Sequence, residues 1–202
     1  MKISKFIRFS IFAATAMVFV ACEDDDDDDT PSGVENEEEL ITDMTLTFVE
    51  AGTTDTLAFT FSDRDGIGGD PATQDVIMLD DGKVYNVSIV VEDISNPNDI
   101  EDITEEIKEE DDEHQFFFVP NNGGEDALTV AYDPTDVDDD NNPIGLLSIW
   151  TTTQPTAIGG NERVRVTLRH EPNKDGENVS DGDITNAGGE TDIEVNFELE
   201  IN

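Results

Sequence analysis

Between Met44 and Glu50 the chain reads MTLTFVE, with Met44, Leu46 and Phe48 on one side of an extended backbone and Thr45 and Thr47 on the other. Alternation of period two marks a strand with one buried face. It recurs in DTLAFTFSD (Leu57, Phe59, Phe61) and in YNVSIVVED (Tyr85, Val87, Ile89, Val91). HQFFFV is apolar enough for a strand buried on both faces, and ALTVAY, GLLSIWTTT, RVRVTLRH, DIEVNFELEI and the short run VIML follow the same logic. Gly, Asn, Asp and Pro separate these runs, as turn chemistry requires. About eight to nine short strands punctuated by turns predict an all-β fold, an antiparallel, immunoglobulin-like β-sandwich over residues 40–202.

One stretch departs from this period. In NPNDIEDITEEIKEE, Ile100, Ile103 and Ile107 recur at helical spacing, Asn98 or Asp99 is placed to cap, and Glu101 and Asp102 fall in the first turn. A single short helix is expected near 99–110, with its isoleucines against the edge or mouth of the sandwich.

Charge changes the picture more than any motif. Fifty acidic residues stand against ten basic ones, a net charge of −40. Such a field repels nucleic acid and anionic lipid headgroups, so nucleic acid is excluded as a partner, and it attracts cations. Three arginines gather on one strand face, Arg163, Arg165 and Arg169, and the last strand offers Glu194, Glu198 and Glu200. Cross-strand ion pairing accounts for that stripe more simply than a ligand does.

The amino-terminal segment reads as an export signal. MKISKFIR carries the charges, an uncharged run extends from Phe9 to Ala21, and the sole cysteine, Cys22, follows. The apolar run falls short of the roughly 20 residues of a membrane-spanning helix. FVAC resembles the bacterial lipobox, with Phe19 where Leu is usual, so residues 1–21 are expected to be a lipoprotein signal peptide and Cys22 an acylated, membrane-anchored residue. Glu23 to Glu39 holds almost nothing to bury and reads as an acidic tether, 22–39 in all. An acidic run directly after such a cysteine resembles the signal that carries Bacteroidota lipoproteins to the cell surface; a plain linker facing the periplasm is the alternative.

Four places hold candidate ligands. FSDRDGIGGD sets Asp63, Asp65 and Asp70 around a glycine-rich turn, the kind of oxygen-donor loop that calcium uses, although the third aspartate and terminal glutamate of an EF-hand loop are missing. YDPTDVDDDNNPIG packs Asp133, Asp136, Asp138, Asp139 and Asp140 together, to be splayed in water or neutralised by a cation. Glu171–Asp192 is long for a connection inside a domain and is expected to be ordered at the working end of the sandwich, with Asp181, Asp183, Glu190 and Asp192 as possible ligands. The only histidines, His114 and His170, open one strand and end another; in register they would form a pair able to bind zinc, copper or haem iron, against the plainer reading of a core-edge histidine. DTL resembles the Bacteroidota O-glycosylation site, with Thr56 as acceptor.

Enzyme signatures are absent from the sequence: there is no GxSxG, HExxH, P-loop or GxGxxG after a strand. Glu101–Phe118 (EDITEEIKEEDDEHQFFF) and Ala187–Ile201 (AGGETDIEVNFELEI) resemble segments of a family of small Bacteroidota lipoproteins whose members often stand beside TonB-dependent outer-membrane receptors. The resemblance spans most of residues 40–202 and implies an outer-membrane location and a receptor partner; it brings no catalytic residues. The expectation is therefore a non-enzymatic, lipid-anchored binding or receptor-accessory protein, with calcium as the candidate cofactor. A structural or adhesive surface protein with a solvated acidic coat is the alternative from another class, and a carboxylate-based hydrolase a third.

Overall fold

The computed structural model describes residues 40–66, 68–156 and 159–202. Cys22, the signal segment and the acidic tether lie outside the described residues.

Among the described residues, ten strands form two sheets. The first holds β1 (Asp43–Glu50), β2 (Thr56–Ser62), β3 (Thr73–Gln74), β5 (Val84–Glu92), β7 (Leu128–Tyr132) and β8 (Leu147–Thr152), in the order β3-β2-β1-β5-β8-β7. The second holds β4 (Ile77–Leu79), β6 (His114–Asn121), β9 (Arg163–His170) and β10 (Glu190–Ile201), in the order β4-β10-β9-β6. The chain is thus an all-β sandwich. All pairs are antiparallel except β4 with β10, which runs parallel, a departure from the purely antiparallel expectation. The reason is local. After β3 the chain leaves the first sheet, and Asp75 holds the corner by exchanging hydrogen bonds with the Thr60 backbone. It therefore enters the second sheet in the direction of β10.

The inner faces carry the alternating residues read from the sequence. Phe48 packs edge-on against Phe59, Tyr85 and Trp150 at ring-centroid separations of 5.5, 6.0 and 5.0 Å, and Trp150 meets Phe118 of the opposite sheet at 5.7 Å. Edge-to-face geometry at these distances adds to the area term for rings of this size. The Trp150 indole donates to Ser148 Oγ at 2.9 Å, which satisfies its one buried polar atom.

The helix α1 runs Ile103–Glu109, shorter than 99–110. Asp102 caps it by accepting the Thr104 N–H, so the first turn begins three residues later than the spacing suggests. Ile103 and Ile107 enter the core, but Ile100 lies before the cap and is 56% exposed, contrary to its expected place on the buried face. The Thr104 hydroxyl clamps the helix to β5, accepting from Val91 N–H and donating to Val91 O. A second short helix, α2, spans Gly124–Ala127.

Two long connections pack onto the sandwich. In the Asp-rich connection between β7 and β8, Asp139 and Asp140 stay exposed, whereas Asp136 and Asp138 turn inward onto the backbone. Asp136 Oδ2 accepts the Leu147 N–H at 2.7 Å, and Asp138 Oδ1 accepts the N–H groups of Asp140 and Asn142. Residues 171–189 are ordered, but they form a strap across the outer face of the second sheet. Val179 and Ala187 close over Phe117 in a small second core, and Gln115 Nε2 donates to Val179 O at 3.0 Å. The edge strand β6 is consequently buried on both faces along its first half. Gln115 also donates to the Tyr132 hydroxyl, which donates in turn to Phe116 O at 2.8 Å; burial pushes the Tyr132 phenol well above its ordinary range.

The outward positions along the middle of the first sheet are uncharged. Thr45, Thr47 and Val49 of β1 adjoin Ala58 and Thr60 of β2 on one side, and Asn86, Ser88 and Val90 of β5 on the other; Leu147, Ile149 and Thr151 of β8 extend the same face.

Candidate metal centre

β6 and β9 pair in a register that sets His114 directly opposite His170. Both project to the inner face, in line with Phe116 and Leu168, at the end of the second sheet. His114 is 0% exposed and His170 3%. Their ring centroids lie 4.6 Å apart with the planes tilted by 48°. At that stacking distance two imidazoles can share a small ion, but the flat macrocycle of haem does not fit between them without opening the strand pair.

The third member comes from a bulge. β10 pairs with β9 in regular register from Glu198 back to Ile193; the register then shifts, and pairing resumes at Thr191. The extra residue is Asp192. A bulge re-aims the side chain it inserts, and here the Asp192 carboxylate is 1% exposed, with Oδ1 3.9 Å from His170 Nδ1. Gly189 makes the approach possible: at φ +68° a Cβ there would fall 2.2 Å from the His170 carbonyl oxygen. Glu171 turns left-handed at φ 47°, and its N–H donates to Glu113 O at 2.7 Å, which ties the strap to the turn that precedes β6.

The ligand atoms of His114, His170 and Asp192 lie within 4.8 Å of one another. Zinc–nitrogen and zinc–oxygen bonds of about 2.0–2.2 Å would draw them together by roughly 1 Å, a side-chain adjustment. The tautomer of His114 suits ligation. Its Nδ1 lies 3.1 Å from the Glu110 carbonyl, which can only accept, so the proton sits on Nδ1 and the lone pair on Nε2. Burial, above all, holds the His114 pKa below the usual histidine range, and the nearby His170 works in the same direction against the Glu110 carbonyl. A neutral imidazole is the form that binds metal. On the other side of His170, Glu113 Oε2 lies 3.6 Å from Nε2, in position to serve as the carboxylate partner of a histidine that ligates through Nδ1. Glu113, His170 and Glu171 form a second convergent group, facing solvent.

The expected calcium loop is arranged differently. Asp65 Oδ2 accepts the Asp70 N–H at 2.7 Å and is folded back into its own turn. Asp63 instead lines a cleft of about 430 Å³ together with Ile41, Thr42, Phe61, Thr191 and Asp192. Among the described residues, three-ligand groups form around His170 and not from Asp63, Asp65 and Asp70. The arginine stripe is ion-paired as read from the sequence at two positions: Arg163 meets Glu198 at 2.9 Å and Arg165 meets Glu194 at 3.8 Å. Arg169 differs and donates to Thr191 Oγ1 at 2.6 Å. Thr56 is exposed at the start of β2, accessible for glycosylation.

No protein-family model, curated protein or solved structure matches this chain. Among the described residues no helix is long and apolar enough to cross a membrane.

Within the pair, His114 was conspicuous in the sequence, and so was His170. Asp192 stood among several carboxylates of the long connection, and nothing local separates it from Asp181, Asp183 or Glu190. The one available signal is that Asp192 directly precedes the alternating run, where a bulge changes which face it addresses.

Proposed function

We propose that this chain is a lipid-anchored, non-enzymatic binding protein of the outer membrane that holds a divalent transition metal ion at His114, His170 and Asp192. The observation that supports this is the facing, buried histidine pair with a carboxylate delivered to it by a bulge. Two imidazoles and one carboxylate suit zinc or copper(II) better than calcium, which prefers six to eight oxygens. Three protein ligands leave one position for water or a ligand from outside. The acidic surface raises the local concentration of any cation.

Calorimetric titration with Zn²⁺, Cu²⁺ and Ca²⁺ tests the reading. Saturable binding of one transition metal ion per chain, abolished by His114→Ala and by His170→Ala, is the expected result. Equal, weak and non-saturating uptake of all three ions would reduce the acidity to a solvated coat and return the histidines to a purely structural role.

A second reading concerns the partner. On a chain of net charge −40, the uncharged outer face around Thr47, Ser88 and Ile149 stands out as a surface that a neutral partner can approach. Together with the resemblance to lipoproteins found beside TonB-dependent receptors, this face supports a receptor-accessory role. Co-purification of such a receptor from detergent-extracted membranes should survive in the wild type and fail with Thr47→Glu plus Ile149→Glu. Retention of the receptor by the double variant would sink this assignment of the face.

A further inference from the structure

Among the described residues, Lys174 is the buried lysine. It is 6% exposed, whereas Lys83 and Lys108 sit at the surface paired with Glu50 and Glu105. Its ammonium lies 3.1 Å from Asp138 Oδ2, with the two side chains 5% and 3% exposed. A second N–H of the ammonium is donated to the Asp111 carbonyl, which fixes the direction of the nitrogen. The other oxygen of the carboxylate, Asp138 Oδ1, accepts two backbone N–H groups, from Asp140 at 3.0 Å and Asn142 at 2.8 Å. Taking two charges out of water in this way is expensive, and a neutral replacement of the same shape is commonly as stable or more so.

These groups are arranged for a reaction. We propose that Lys174 and Asp138 condense into an intramolecular isopeptide bond that staples the strap of residues 171–189 to the connection between β7 and β8. The reaction requires the ammonium to pass one proton to Oδ2, which gives a neutral amine beside a carboxylic acid. The amine lone pair attacks Cγ, whose oxygen Oδ2 the nitrogen already contacts at 3.1 Å. The developing oxyanion on Oδ1 is received by the N–H groups of Asp140 and Asn142, which act as an oxyanion hole. The Nζ–Cγ bond forms and the Cγ–Oδ2 bond breaks. A second proton moves from nitrogen to Oδ2, which departs as water. An ammonium and a carboxylate become one amide and one water, with no oxidant or co-reactant. The amide oxygen keeps both backbone N–H partners, the remaining amide N–H can keep the Asp111 carbonyl, and no buried charge is left. The link would close a loop between positions 36 residues apart.

The test is peptide mapping by mass spectrometry on the full chain purified from its native membrane. The expected result is a branched peptide joining the segments around Asp138 and Lys174, lighter than the two linear peptides together by one water. It disappears in Lys174→Arg, which keeps the cation and the ion pair but has no nucleophilic amine. The wild-type chain should also run faster than Lys174→Arg on a denaturing gel. Recovery of both linear peptides in full from wild-type protein, with no branched species, would overturn the proposal and leave a buried ion pair. The wild-type map is decisive by itself, whether or not any variant folds.

Discussion

Phe117→Ala separates a docked strap from a surface loop. Phe117 is fully buried although it points away from the main core, and its cover consists of Val179, Ala187 and part of Ile184. Truncating a buried phenylalanine costs about 3–5 kcal/mol, the lost transfer term plus the cavity. Here the cover is a single layer of chain that can sink into the space, so the lower end, about 3 kcal/mol, is expected. For a domain of this size that corresponds to a fall of roughly 6–12 °C in melting temperature. The loss should be felt first in the strap, which is otherwise held by the Gln115–Val179 hydrogen bond, the Asn173–Ala187 backbone bond and the Lys174–Asp138 pair. Urea unfolding followed by tryptophan fluorescence reads the global term through Trp150, and amide hydrogen exchange across residues 173–187 reads the local one. A cost below about 1 kcal/mol with unchanged strap exchange would refute the second core as a stabilising element.

The other predictions concern the metal centre and the anchor. Asp192→Asn should weaken zinc affinity by at least about tenfold, the smallest penalty expected even for an outer-shell partner, with little change in secondary structure by circular dichroism. Because burial lowers the His114 pKa below its ordinary 6.5, the unfolded chain takes up a proton near that value while the folded chain resists it to lower pH. Unfolding is then favoured by proton uptake, so stability should be full above about pH 6.5 and decline as pH falls below it. Urea midpoints for wild type and His114→Asn across this range should show the decline only in the wild type. Metal affinity should fall over the same acid range, since protonation of His114 removes its lone pair. Cys22→Ala should abolish labelling by radioactive palmitate and move the protein from the membrane to the soluble fraction; continued membrane retention would contradict the anchor.

Much of the sandwich was legible because one-sided burial leaves a strict period. Met44, Leu46 and Phe48 alternate with threonines and do face the core, and the pairing of β9 with β10 was readable from Arg163 and Glu198. The histidine pair was legible only as a possibility that depended on register, which the pairing of β6 with β9 supplies. What could not be read were features that depend on a single residue changing face or on packing without a period. The bulge at Asp192 reverses the parity that alternation assigns. Val179 and Ala187 lie among Gly, Asn and Asp and look like punctuation until Phe117 is placed beneath them. Asp136 and Asp138 are buried, but in a run of five carboxylates nothing distinguishes them from Asp139 and Asp140. Ile100 matched a helical spacing whose first turn was pre-empted by the Asp102 cap.

Anomalous diffraction from crystals soaked in zinc, collected on both sides of the zinc absorption edge, tests the central claim most directly. The account predicts one strong peak between His114 Nε2, His170 Nδ1 and the Asp192 carboxylate, with bonds of about 2.0–2.2 Å. A peak at Asp63–Asp70 instead, or density scattered over surface carboxylates with none at the histidine pair, would contradict it.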